Sequence, residues 1–218
     1  MGSLRMIATV MRRSPSQPYV WFLIAMVAWL LVACADSTQG LDEGQATEAG
    51  IFIGDVTGTT AMVGLVHNDD TLAAYVCGRE DTLASYTRWF SGSLDDDGAT
   101  FTLDSDGWSL SGSLDASGVE ATLVDPDGAS ASLSLVAAAT DSLSGLYSVL
   151  DGDCRAGLIV SDPGTSTAII TQGAWCDGHG VVKQVTPMMP VGLVDGGIPV
   201  TVDDTAPEQA LTMAPHGL

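Results

Sequence analysis

Between residues 99 and 135 the chain alternates apolar and small polar residues with a period of two, and it does so four times in succession. Ala99, Phe101 and Leu103 share one face. So do Trp108, Leu110, Gly112 and Leu114, then Val119, Ala121 and Leu123, then Ala129, Ala131, Leu133 and Leu135. Ser, Thr and Glu fill the opposite face. A strand points successive side chains to opposite sides, so this is the pattern of antiparallel strands with one face buried. The connections are as regular. DDDG (95–98), DSDG (104–107), DASG (115–118) and DPDG (125–128) each open with Asp and close with Gly. Asp accepts bonds from the backbone N–H groups that follow it, and Gly supplies positive φ. Tight hairpins between sequential neighbours follow.

The same period extends in both directions. Ala61, Val63 and Leu65 form one face of TAMVGLVH, and Leu72, Ala74 and Val76 one face of TLAAYVC. Further strands are expected at SGLYSVL (144–150), RAGLIVS (155–161), STAIITQGAW (166–175) and GVVKQVT (180–186). EDTLASYTRWF (80–90) has room for one turn of helix before strand character resumes at Trp89. The expectation is an all-β domain over 50–186, an antiparallel up-and-down β-barrel or β-sandwich of about ten strands. Its inner face is rich in Ala, Gly and Leu, which argues against a lipocalin-like ligand pocket. Residues 187–218 hold five prolines and no sustained pattern, and read as a disordered tail with one short extended piece at Ile198–Val202. Met188 and Met189 in that tail are a candidate partner-binding element.

The charge is sharply divided. Arg5, Arg12 and Arg13 are the only charged residues before Asp36. From Cys34 onward, four basic residues (Arg79, Arg88, Arg155, Lys183) stand against 27 acidic ones, a net −23. Such a surface repels phosphate backbones and anionic lipid, which excludes nucleic acid as a partner and leaves membrane attachment to an anchor.

Residues 20–33, VWFLIAMVAWLLVA, are wholly apolar. Fourteen residues match the hydrophobic region of a signal peptide and fall short of a bilayer span, which needs about 20. The run ends Leu31-Val32-Ala33-Cys34, which resembles the lipobox of bacterial lipoproteins. That resemblance implies cleavage before Cys34, a diacylglyceryl group on its thiol and acylation of the new amine. Residues 1–33 are then a signal peptide and 34–49 a flexible acidic tether. The alternative is an uncleaved signal anchor. Either places the domain on the extracytoplasmic face of the membrane.

Outside the cytoplasm a disulfide is permitted. Cys154 and Cys176 flank a hairpin. A register with Asp162 opposite Ala168 sets the two cysteines face to face, within bridging distance. Cys77 is then a buried free thiol, and its pairing with either of the others is the rival connectivity. The Asp-rich turns fail the spacing of an EF-hand, so calcium binding stands only as an alternative. CDGHG (176–180) brings Cys176 and His179 close enough for a cysteine-dependent hydrolase, against the plainer reading of a turn beside a structural bridge. His67 precedes NDD and is expected exposed at a hairpin tip. No catalytic residue, metal site or cofactor is assigned.

At LAAYVCGRE (72–80), RWFSGSL (88–94) and SGLYSVL (144–150) the domain resembles a family of secreted and lipid-anchored β-domains from actinobacterial-type bacteria, with AYVCDG-, WFxG- and AGLYR-like strands. It departs from that pattern at Arg79 and Ser148. The resemblance implies a compact β-domain at the cell surface and carries no activity. The sequence therefore points to a non-enzymatic envelope lipoprotein with a binding or structural role, and to an accessory subunit of a membrane complex as one form of it. The alternatives are a small-ligand or calcium-binding surface protein and the cysteine hydrolase.

Overall fold

The computed structural model describes residues 50–164, 168–177, 182–203 and 209–217. Among them are fourteen antiparallel strands and one helical turn, a 3-10 segment (Glu80–Thr82) running into a short α-helix (Leu83–Tyr86). The strands form two barrel-like sheets, where the sequence suggested a single barrel or sandwich of about ten.

The first sheet contains β1 (Gly50–Val56), β2 (Met62–Asn68), β3 (Thr71–Cys77), β4 (Arg88–Ser93), β5 (Thr100–Ser105), β6 (Trp108–Asp115), β7 (Gly118–Val124) and β8 (Ser130–Ala137). They lie in the order β4-β3-β2-β1-β8-β7-β6-β5. The sheet curls until β4 and β5 meet, through a bridge between Leu94 and Phe101 and a 2.7 Å bond from the Asp95 N–H to the Thr100 carbonyl. The alternating faces converge inside it. Val63, Leu65, Leu72, Ala74 and Val76 are sealed there with Phe52, Phe90, Phe101 and Leu133. Burying each large aliphatic side chain contributes roughly 1.5–3 kcal/mol. The helical turn sits at one end of this barrel, where Tyr86 meets Trp108 edge to face and the Arg88 guanidinium lies 4.2 Å from the Trp108 ring.

The Asp-Gly turns behave as their chemistry requires. Asp97 accepts from the N–H groups of Ala99 and Thr100, Asp115 from Ser117 and Gly118, and Asp125 from Asp127 and Ala129. The bonds from Ala99 and Thr100 hold the Asp97 carboxyl below the usual carboxylate range, and the Ser117 hydroxyl, then the Ser117 N–H, does the same for Asp115. At Asp106-Gly107 both residues have positive φ, 50° and 81°, between the paired Ser105 and Trp108. That is the two-residue turn whose twist matches the strands.

The second sheet is a closed barrel in the order β10-β11-β12-β13-β14-β9. Its strands are β9 (Gly145–Asp151), β10 (Cys154–Ser161), β11 (Ile170–Cys176), β12 (Val182–Pro187), β13 (Ile198–Val202) and β14 (Gln209–Pro215). Its last two strands come from the segment expected to be a disordered tail: β13 is the short extended piece expected at Ile198–Val202, and β14 was not expected. Ile198, Val200, Val202 and Met213 point inward and are buried with Tyr147, Leu158, Val160 and Val185. The prolines do not break this barrel, because Pro187 and Pro215 stand at strand ends and the Pro199 carbonyl accepts from the Met188 N–H.

A third apolar cluster joins the barrels. Ile53, Met62, Val66, Tyr75 and Cys77 leave the outer face of the first sheet and meet Leu146, Ile159 and Ala174 of the second. Glycines permit the approach: a Cβ on Gly157 would lie 2.6 Å from the Tyr75 ring, and one on Gly64 3.4 Å from both Ile159 and Leu146. The Gln172 side chain, 2% exposed, donates to the carbonyls of Thr60 and Cys77 across the seam. Trp89 Nε1 donates to the Arg155 carbonyl at 3.0 Å. The G157A variant is expected to lose about 1–3 kcal/mol of unfolding free energy, the usual cost of overpacking. Urea denaturation checks it, and a loss below 0.5 kcal/mol, within ordinary surface noise, would show that the Tyr75 contact is slack.

Candidate functional site

Cys34 and His179 lie outside the described residues. Cys154 and Cys176 form a disulfide with 5.8 Å between their Cα atoms. The register differs by one from the expected one. Gly157 faces Ala174 and Ser161 faces Ile170, so the residue directly across from Cys176 is Arg155. The β10–β11 pairing ends at Gly157 and Ala174, and the bridge closes the gap beyond it. Cys176 is thereby removed as a nucleophile, because a bonded sulfur carries no thiolate.

Cys77 is the free cysteine and is buried. Loss of hydration pushes its thiol up to about 11, against opposing contacts that include the Thr87 hydroxyl. His67 is not at a hairpin tip. It is 1% exposed, pairs with Leu72 on the inward face, and neither ring nitrogen has a hydrogen-bond partner. The turn falls one step later than HNDD suggests, at Asp69-Asp70 between the paired Asn68 and Thr71. Among the described residues, no group of three or more His, Cys, Asp or Glu side chains is placed to hold a metal ion. The carboxylates of Asp97, Asp115 and Asp125 are spent on their own turns' backbone N–H groups.

His216 does not hang in a loose tail. Its N–H donates to the Leu146 carbonyl, its Nδ1 lies 2.9 Å from the Ser148 hydroxyl, and its ring centroid lies 4.7 Å from that of Trp89. The Arg155 guanidinium lies over the Trp89 ring as well, 5.5 Å from its centroid. This group locks the end of β14 to β4 and β9.

The concave part of the surface lies elsewhere along the seam. The outer face of β8, β1 and β2 diverges from the β10–β11 hairpin and leaves a cleft of about 450 Å³. Ile53 and Met62, 5% and 6% exposed, line it from the first barrel. Ser161 and Ile170, a cross-strand pair, line it from the second. Asp55, Ser134 and Val136 complete the near wall. A volume of this order suits a small ligand or a few side chains of a peptide. Sequence reasoning missed the cleft because it expected one barrel, and the cleft exists only where two barrels diverge. One signal was present: TLAAYVC is apolar at successive positions, the mark of a strand covered on both faces.

The chain matches no family model, no curated protein and no solved structure.

Two outcomes check this account. Replacing both bridge cysteines by Ser is expected to cost about 3 kcal/mol, the loop-closure value for a separation of 22 residues. In the unreduced native protein Cys77 should resist iodoacetamide, and it should be alkylated once the chain is unfolded in urea. The second outcome concerns pH. Burial, then the Arg155 charge, lowers the His216 pKa below its ordinary value. The unfolded chain then binds this proton more readily, so the stability tied to neutral His216 is complete above about pH 6.5 and is lost as pH falls through the lower folded pKa. H216N is expected to flatten the fall in melting temperature between pH 7 and pH 5. An unchanged slope would assign that fall to other groups.

Proposed function

We propose that this chain is an envelope lipoprotein, held at the extracytoplasmic face through Cys34, that works by binding a partner rather than by catalysis. The seam cleft carries the reading. Among the described residues each barrel is packed with its own apolar side chains, and the recess between the barrels offers a place for recognition. Three further observations support it. Cys176 is committed to a disulfide, which suits an oxidising compartment. The sequence LVAC closes an apolar run of signal-peptide length. The likeness of several strands to secreted and lipid-anchored β-domains of actinobacterial type points the same way. Two acyl chains on Cys34 anchor a protein stably where one is marginal.

The intact mass of the chain extracted from its own membranes tests the anchor. A chain that starts at Cys34 and carries diacylglyceryl and fatty-acyl groups is expected, and C34S should accumulate uncut. A mass that still contains Met1 would overturn the lipoprotein. Binding is tested separately, by chemical cross-linking in those membranes followed by purification of the chain. A reproducible envelope partner is expected, and its absence at matched expression would overturn the binding role.

A further inference from the structure

The cleft continues into a furrow with a marked chemistry. On the outer face of β8 the residues are Ser130, Ser132, Ser134 and then Val136, so the strand keeps a polar exterior until its last outward position. Val136 is 64% exposed there, and Ile170 across the cleft is 53% exposed. Two aliphatic side chains thus stand open at the mouth above the buried Ile53 and Met62. Ser134 and Val136 also line a second hollow of about 90 Å³ beside the first, shared with Glu120 and Asp115. Register places the polar groups in a row: Asp55 pairs with Ser134, and Ser134 with Glu120. The Ser134 hydroxyl donates to Glu120 at 2.6 Å. Asp55 is held by its backbone in the ladder, and its carboxylate has no hydrogen-bond or ion-pair partner among the described residues. At about 4.8 Å per strand, the backbones of Asp55 and Glu120 lie roughly 10 Å apart. The lining of the two hollows contains three carboxylates and no Lys, Arg or His.

We propose that this furrow takes a short basic, amphipathic peptide segment of a partner protein, with aliphatic side chains against Val136 and Ile170 and lysine or arginine on Asp55 and Glu120. The inference rests on the binding role argued above and gives it a ligand class. Charge selects the occupant. A second copy of this chain brings a net −23, and its own tether brings Asp36, Asp42, Glu43 and Glu48, so both are repelled from a furrow of the same sign. The open aliphatic pair distinguishes an amphipathic segment from a bare polycation, because exposed Val and Ile offer nothing to an ammonium group. The surrounding acidic field draws the segment in, and the apolar contacts retain it.

The test uses the full chain purified from its membranes in detergent, and a fluorescein-labelled decapeptide of alternating lysine and leucine, with its glutamate–leucine counterpart as control. Anisotropy at low salt is expected to show binding of the lysine peptide alone. The pair V136S and I170S should weaken it about tenfold, as should the pair D55N and E120Q. The charge-matched pair D97N and D127N, on hairpin tips, should change it less than about twofold. All these positions except Ile170 and Val136 are polar surface sites, and those two are exposed, so the variants fold. Equal losses from the hairpin and furrow carboxylates would assign binding to the diffuse field and overturn the proposal. So would no binding of the lysine peptide, or a change of oligomeric state on losing Val136 and Ile170, which would make a second copy the occupant. A cross-linked envelope partner together with any of those results would leave the binding role standing and remove only the furrow.

Discussion

The contact of Tyr75 with the bare backbone of Gly157 is the constraint on which the arrangement depends. A barrel presents its outer face to water by default, and its strands are then apolar only at alternate positions. β2 and β3 break that rule. Their inward residues fill the first barrel, while Met62, Val66, Tyr75 and Cys77 fill a second interior made with β9, β10 and β11. Those strands cannot be exposed without opening a large apolar patch, so neither barrel is complete alone. Gly157 and Gly64 set how closely they meet. Gln172 then satisfies two carbonyls at a rim where backbone would otherwise be buried unpaired.

The inner faces were legible because one physical rule governs them. Leu110, Gly112 and Leu114, or Val119, Ala121 and Leu123, alternate without exception, and each run ends at an Asp-Gly turn whose bonding is local. What local rules do not encode is where a meander closes. The step from β8 to β9 resembles any other loop in sequence, yet it separates two barrels. Ile198–Val202 was legible as an extended piece and is β13, but β14 was missed because the prolines of 187–218 outweighed any pattern there, and the harm proline does depends on which N–H the ladder needs. His67 was misplaced for a related reason. HNDD contains three turn-forming residues, and only pairing with Leu72 decides which two of its residues turn.

The cysteines show the same division between chemistry and register. That Cys154 and Cys176 meet follows from a hairpin between them, and the hairpin is there. The register is shifted by one along the whole ladder, which stops at Gly157 and Ala174, so the covalent bond and the hydrogen bonds hold successive parts of one strand pair. Cys77 needs no partner. It is shielded by the seam, where a small apolar side chain is what the packing requires.

Two cylinders that touch along one line must separate to either side of it. At the seam of this molecule one such side is occupied by Trp89, Arg155 and His216, whose rings and charge fill the wedge. The other is left open between β8–β1 and the β10–β11 hairpin, with no aromatic residue in its lining. In the proposed role the acidic surface sets the sign of what approaches it, and Val136 and Ile170 set what remains. In the binding role proposed above recognition belongs to neither barrel, so substitutions that leave both interiors intact but loosen Trp89 from Arg155 should alter peptide binding before they alter stability.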